Sequence, residues 1–178
     1  MNYNHKAITI LMADDDPDDR MLTRDALEES HLLNAFETVE DGEELMDYLF
    51  RQGKYAGAGA RPMPGLILLD LNMPRKDGRE ALKEIKAHPE LRRIPVVVMT
   101  TSKADEDILS TYDLGVNSFI TKPVTFDALV DVLKTLGKYW FEIVELPVWE
   151  TQDAALPQNG LASEPFNHND RNASDLIG

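Results

Sequence analysis

Apolar residues in this chain gather in short unbroken runs, separated by longer stretches in which they recur every three or four positions. The runs are "AITILMA" (Ala7 to Ala13), "LILLD" (Leu66 to Asp70), "VVVMTT" (Val96 to Thr101) and "NSFITK" (Asn117 to Lys122), with a weaker one, "AFETVE", ahead of Asp41. The strongest runs do not alternate apolar with polar, as is expected of parallel strands covered by helices on both faces.

The stretches between them read as amphipathic helices. Met21, Leu22, Ala26 and Leu27 mark the first, with Asp16 as N-cap and Pro17 as a favourable first helical residue. Asp41 with Glu44 forms a capping-box variant ahead of Leu45, Tyr48 and Leu49. Leu82 and Ile85 mark a third helix that stops near Pro89; Ile108, Leu109 and Tyr112 mark a fourth that Gly115 ends. The fifth starts at Thr125. Its apolar positions, Leu129, Val132, Leu133, Leu136, Trp140, Ile143 and Val144, keep helical spacing to about Leu146, although Gly137 weakens the continuation by ~1 kcal/mol. Strands alternating with helices predict an α/β fold, a doubly wound five-stranded parallel sheet with right-handed crossovers and an extended last helix.

Residues 1–146 thus read as one domain. Arg51 to Gly65, rich in Gly, Ala and Pro, reads as a tolerated surface insertion. From residue 147 to 178 large apolar residues thin out, and the composition predicts a disordered acidic tail.

The formal charge of −14 removes nucleic acid from the expected partners, because phosphate contacts need clustered Lys and Arg. The absence of cysteine removes disulfides, thiolate metal sites and a Cys nucleophile, and His5, His31, His88 and His168 lack metal-ligand spacing. The first residues lack the apolar core of a signal peptide, and no segment reaches the ~20 apolar residues of a membrane span, so a soluble cytoplasmic protein is expected.

Five aspartates occupy six positions in "DDDPDD", Asp14 to Asp19. In an open parallel sheet, ligands sit beyond the carboxyl ends of the strands. Those ends carry Asp14 and Asp15, Asp70, Thr100 and Thr101, and Lys122. Clustered carboxylates repel unless a cation neutralises them, and a hard ion with oxygen ligands such as Mg²⁺ suits them. Asp16 caps the following helix, while Asp18 and Asp19 suit its macrodipole. Calcium bound by an EF-hand fails: a loop opening at Asp14 would need Gly and Glu where Asp19 and Asp25 stand.

In their order, "ADDDP", "LLDLNMPRKDG", "MTTS" and "FITKP" resemble the receiver domain of two-component response regulators, over roughly Ile8 to Leu136. The Arg51–Gly65 loop and the ending "GKYWFEIVELP" are similar to stand-alone receivers associated with cyanobacterial-type phytochrome kinases. The resemblance implies a flavodoxin-like strand order 2-1-3-4-5. It implies that Asp70 accepts a phosphoryl group from a phosphohistidine on a sensor histidine kinase, phytochrome-type in the narrower match. Asp14, Asp15, the Asp70 carboxylate and the backbone carbonyl of Asn72 would hold Mg²⁺. Lys122 would pair with the phosphoryl oxygens, Thr100 would turn its hydroxyl toward them, and Phe119 would be the switch aromatic. A carboxylate attacks an anionic phosphoryl group only when nearby cations offset the charge at its equatorial oxygens, which agrees with these roles.

The chain departs from the family pattern at two places. Phe119 lacks a tyrosine hydroxyl, so burial must stabilise its inward state, and Thr101 is bulkier than the usual Ala or Gly and narrows access. Pro123 fixes the chain after Lys122 and makes that bond a candidate for the cis isomer. With no effector domain following, output must leave through a surface. Tyr139, Trp140 and Phe141 on the extended helix are expected to expose aromatic area and support a homodimer, with packing back onto the domain as the alternative. Two rival functions fit the sequence less well. A phosphohydrolase forming an aspartyl-phosphate would use Asp14 and Asp16 and leave Asp70 without a role; a flavodoxin-like cofactor binder lacks the Ser/Thr/Gly-rich phosphate loop.

Overall fold

The computed structural model describes residues 8–57, 59 and 61–147; apart from Pro147, the tail expected to be disordered lies outside them. The chain runs β1 (Thr9–Ala13), α1 (Pro17–Glu29), β2 (Ala35–Val39), α2 (Gly42–Phe50), β3 (Leu66–Leu69), α3 (Gly78–Ala87), β4 (Val96–Thr100), α4 (Asp105–Asp113), β5 (Ser118–Thr121) and α5 (Phe126–Gly137). The five strands are all parallel, in the order β2-β1-β3-β4-β5. β1, β3 and β4 are buried at every residue, which is why their sequences are apolar without alternation.

The sheet separates two apolar cores. Leu11, Ile67, Leu69 and Val98 face α2 and α3 through Leu45, Leu49, Leu82 and Ile85. Ile10, Met12, Leu68 and Val97 face α1 and α5 through Ala26, Leu27, Leu129 and Leu133.

Caps fix where the helices begin. Asp16 accepts from the Asp18 amide at 2.8 Å, with Pro17 in the first turn, and Asp41 accepts from the Glu44 amide at 2.9 Å. The Glu44 carboxylate reaches back to the Glu40 amide, one residue short of a true capping box. The reciprocal box belongs instead to Asp77 and Glu80 at the start of α3.

Three helix faces differ from the periodicity. Thr23, Ala26 and Leu27 form the buried side of α1, while Met21 and Leu22 face solvent. In α4, Thr111 is the buried residue; its hydroxyl donates to the Asp107 and Ile108 carbonyls at 2.8 and 2.9 Å. Leu109 and Tyr112 are exposed. Beyond α5 the helical path does continue, but as a π-helical segment, Lys138–Ile143, and it leaves helical geometry at Val144 rather than near Leu146. The wider turn carries Trp140 inward to 7% exposure in the second core, correcting the expectation of an outward Trp140. Tyr139 and Ile143 stay exposed. Gly137 permits this packing: a Cβ there would meet Leu32 Cδ2 at 2.6 Å, so the residue read as a helix weakness is the point of closest approach to Leu32.

The Lys122–Pro123 bond is trans, correcting the cis candidate; trans is the isomer favoured by about 0.5–1 kcal/mol even before proline. The Arg51–Gly65 connection is tied down rather than loosely attached. Tyr48 donates to the Pro62 carbonyl at 3.1 Å, Tyr55 donates to Glu44 Oε1 at 2.7 Å, and the two rings lie 5.0 Å apart.

Candidate functional site at the carboxyl ends of the strands

Asp14 and Asp70 each follow the last residue of a strand, and those last residues, Ala13 and Leu69, are paired across β1 and β3. The Asp70 amide donates to the Ala13 carbonyl at 2.9 Å, continuing the ladder one step further. Backbone pairing therefore brings the two carboxylates side by side at the floor of the site, where Asp14 is 0% and Asp70 6% exposed. Asp15, next along the loop, is exposed. Asp14, Asp15 and Asp70 each offer a carboxylate oxygen, and the three oxygens lie within 4.8 Å of one another.

Burial pushes the Asp14 carboxyl up to about 6, against the opposing pull of Lys122. Burial also raises Asp70, while Lys122, the Thr100 hydroxyl and the backbone amides of Leu71 and Asn72 work the other way. One oxygen, Asp70 Oδ1, is buried without a hydrogen-bond partner. Closely spaced hard oxygen donors with an unsatisfied buried carboxylate oxygen suit a divalent cation that keeps some of its water.

Lys122, at the end of β5, is the cation opposite these groups. Its Nζ lies 2.8 Å from Asp14 Oδ2, 3.8 Å from Asp70 Oδ2 and 2.6 Å from Asp19 Oδ2. Burial opposes its charge, but the contacts with Asp14 and Asp19 hold its pKa above the ordinary lysine value. Thr100 ends β4, is fully buried and receives the Ser102 amide at 3.4 Å. Thr101 beside it is exposed. Phe119 lies in β5, half-buried against the first core. Asn72 sits on the exposed part of the loop after β3.

Gly78 starts α3 against the phosphoacceptor candidate: a Cβ there would overlap the Asp70 carbonyl and stand 2.8 Å from Leu71 Cα. Gly42 plays the same part beneath Lys76, whose carbonyl a Cβ would meet at 2.5 Å. Asp16, the acid/base residue a phosphohydrolase would require, is tied up in capping α1.

Asp19 escaped the reading of the sequence, which gave it only a place in the first turn of α1, where its charge suits the macrodipole. It shares a helix stripe with Thr23, Ala26 and Leu27, at spacings of four, seven and eight. An acidic residue on a helix's buried stripe is the signal that would have found it. Arg20 was missed too; its guanidinium donates to the Asp14 carbonyl at 2.6 Å and fixes the loop between β1 and α1.

Residues 10–134 match the sequence profile of the response regulator receiver domain. Response regulator Rcp1 of Synechocystis sp. is 41% identical over 138 residues, spanning 78% of this chain and 92% of the relative. Among solved structures, the phosphorylated cyanobacterial phytochrome response regulator RcpA superposes with a TM-score of 0.73 at 44% identity, over 79% of this chain and 99% of that one. The Mn²⁺-bound form of Rcp1 superposes with a TM-score of 0.72 at 40% identity, over the same shares.

Proposed function

The chain belongs to the response regulator receiver domain family, related to phytochrome response regulators, and on that premise we propose that it is a phosphoryl-accepting switch driven by a sensor histidine kinase of the phytochrome type. Residues 1–146 are the receiver, and the acidic tail follows it. The observation that carries the reading is the trio of carboxylate oxygens within 4.8 Å, two of the carboxylates buried and Asp70 Oδ1 unpartnered, facing Lys122.

Asp70 is the nucleophile. Its carboxylate oxygen attacks phosphorus, the bond from phosphorus to the donor imidazole nitrogen breaks, and an acyl phosphate forms on Asp70. Asp14, Asp15, Asp70 and the Asn72 carbonyl would hold Mg²⁺, which would supply positive charge to the phosphoryl oxygens. The Mn²⁺ in the Rcp1 structure supports a divalent ion here. Lys122 offsets the charge developing on the phosphoryl oxygens, and Thr100 donates its hydroxyl to one of them. Drawing Thr100 inward opens room for Phe119, which is half-buried at rest, so phosphorylation is read out by repacking around β5 and α4. Thr101 stands at the mouth and limits access.

Leu22, Val124 and Phe126 expose apolar side chains around the Lys122 side of the site, a surface suited to a partner that must approach Asp70. Output proceeds by protein contact, including self-association through Tyr139 and Ile143 on the extended last helix.

Incubation with acetyl phosphate and Mg²⁺, followed by intact-mass measurement, is the test. The wild type should gain one phosphoryl group and Asp70→Asn none; an equal adduct on the variant would remove Asp70 from the role. A panel of autophosphorylated kinases then tests the partner, and transfer only from kinases outside the phytochrome type would refute that part.

A further inference from the structure

Lys122 is shared among three carboxylates, and its shortest contact is with none of the metal-site residues. Nζ is 2.6 Å from Asp19 Oδ2, against 2.8 Å from Asp14 and 3.8 Å from Asp70. Asp19 is anchored independently of the metal loop: it sits in the first turn of α1, whose buried side continues through Thr23 and Ala26. The Lys122 side chain is 12% exposed and that of Asp19 34%, so the pair is partly shielded from solvent. Asp19 and Lys122 also line one small cleft with Leu22, Thr23, Val124 and Phe126, between α1 and the segment joining β5 to α5.

We propose that Asp19 is a positioning residue that holds Lys122 back from Asp70 and thereby slows phosphoryl acceptance; this rests on Asp70 being the phosphoacceptor. Two effects act in the same direction. The ground state gains the Asp19 contact, which must lengthen when the ammonium turns to a phosphoryl oxygen on Asp70, so the pair stabilises the resting state more than the transition state. The Asp19 charge also cancels part of the lysine field at the spot where an anionic donor must approach. Asp18, one position earlier, carries the same charge but is exposed, and no ion pair joins it to Lys122 among the described residues.

Asp19→Asn should take up the phosphoryl group from acetyl phosphate in Mg²⁺ about two- to fivefold faster than wild type, the range expected for loss of one partly exposed ion pair. It should also bind beryllofluoride, a phosphoryl mimic, more tightly by a similar factor. Asp18→Asn, which removes equal charge from the same turn, should stay near the wild-type rate, and Asp19→Glu, which restores a carboxylate, should return toward it. An unchanged or slower Asp19→Asn, with wild type phosphorylating normally, overturns the proposal. So does an equal acceleration by Asp18→Asn, which would mark a general charge effect. Failure of wild type itself to accept phosphate counts against the Asp70 reading instead. Thermal melts of the variants check folding; if Asp19→Asn is unfolded, Asp19→Ser provides the same comparison.

Discussion

Arg75 pairs its guanidinium with Oδ2 of Asp41, a carboxylate with no solvent exposure that also caps α2. Arg75 belongs to the loop between Asp70 and Gly78 and adopts a left-handed backbone, φ 63°, which a residue with a side chain enters at a cost. A second tie lies next to it, where the Gly42 amide donates to the Lys76 carbonyl at 3.0 Å. The loop carrying Asn72 is thus fastened to the start of α2 by ion pairs from Arg75 to Asp41 and Glu43 and by one backbone bond.

The two halves of Arg75's role are separable. Arg75→Ala strips Asp41 of its counter-charge while keeping the left-handed strain. It should lower stability in urea by ~1–3 kcal/mol, between the values for a surface pair and a buried one, because the arginine is itself exposed. Arg75→Gly loses the same ion pair but relieves the backbone, and should retain about 0.5–1 kcal/mol more than Arg75→Ala. Equal loss in both variants would show that the φ of 63° carries no strain.

The carboxylate floor of the site works against folding when no cation is bound. Two unit charges 4.8 Å apart repel by ~3 kcal/mol at an effective dielectric of 20, and Lys122 offsets part of this. Asp70→Asn should therefore raise stability in EDTA by ~1 kcal/mol, a few degrees in melting temperature. Adding Mg²⁺ should stabilise wild type and leave Asp70→Asn nearly unmoved. Calorimetric melts with and without Mg²⁺ check both; a variant less stable than wild type in EDTA would mean that Asp70 is well solvated by its amides.

Trp140 and Tyr139 are neighbours with opposite duties. Trp140 fills the second core, so Trp140→Ala should cost about 3–5 kcal/mol in urea unfolding. Tyr139→Asp and Ile143→Asp should leave the melt nearly unchanged and weaken self-association, read by sedimentation at several concentrations with and without beryllofluoride. Wild type that stays monomeric under both conditions rules out the dimer.

Much of this was legible in the sequence because buried parallel strands leave little choice of residue. Ile10 to Ala13, Leu66 to Leu69 and Val96 to Met99 are apolar on both faces, and the candidate site residues follow directly after them. Helix faces were less legible. Met21, Leu22, Leu109 and Tyr112 obey helical spacing yet point outward, since periodicity finds an apolar stripe without saying which side the sheet lies on. Trp140 followed from neither, because its inward turn depends on a π-helical segment and on Gly137 meeting Leu32. Asp19 and Arg75 were hidden for a different reason. Their partners lie 103 and 34 positions away in sequence, and a charge on a loop or first turn does not reveal its counter-ion.

The pairing of Ala13 with Leu69 sets how the chain tolerates genetic change. Because a shared rung of backbone juxtaposes Asp14 and Asp70, point substitutions along β1 and β3 can accumulate without separating them, as long as the volumes suit the core. Loss or gain of a single codon in either strand would instead shift one carboxylate by a rung and turn it to the opposite side of the sheet. Lineages of this protein should accordingly vary freely in spelling across the strands while keeping their length, and should confine insertions to connections between strands and helices, such as the one that joins α2 to β3.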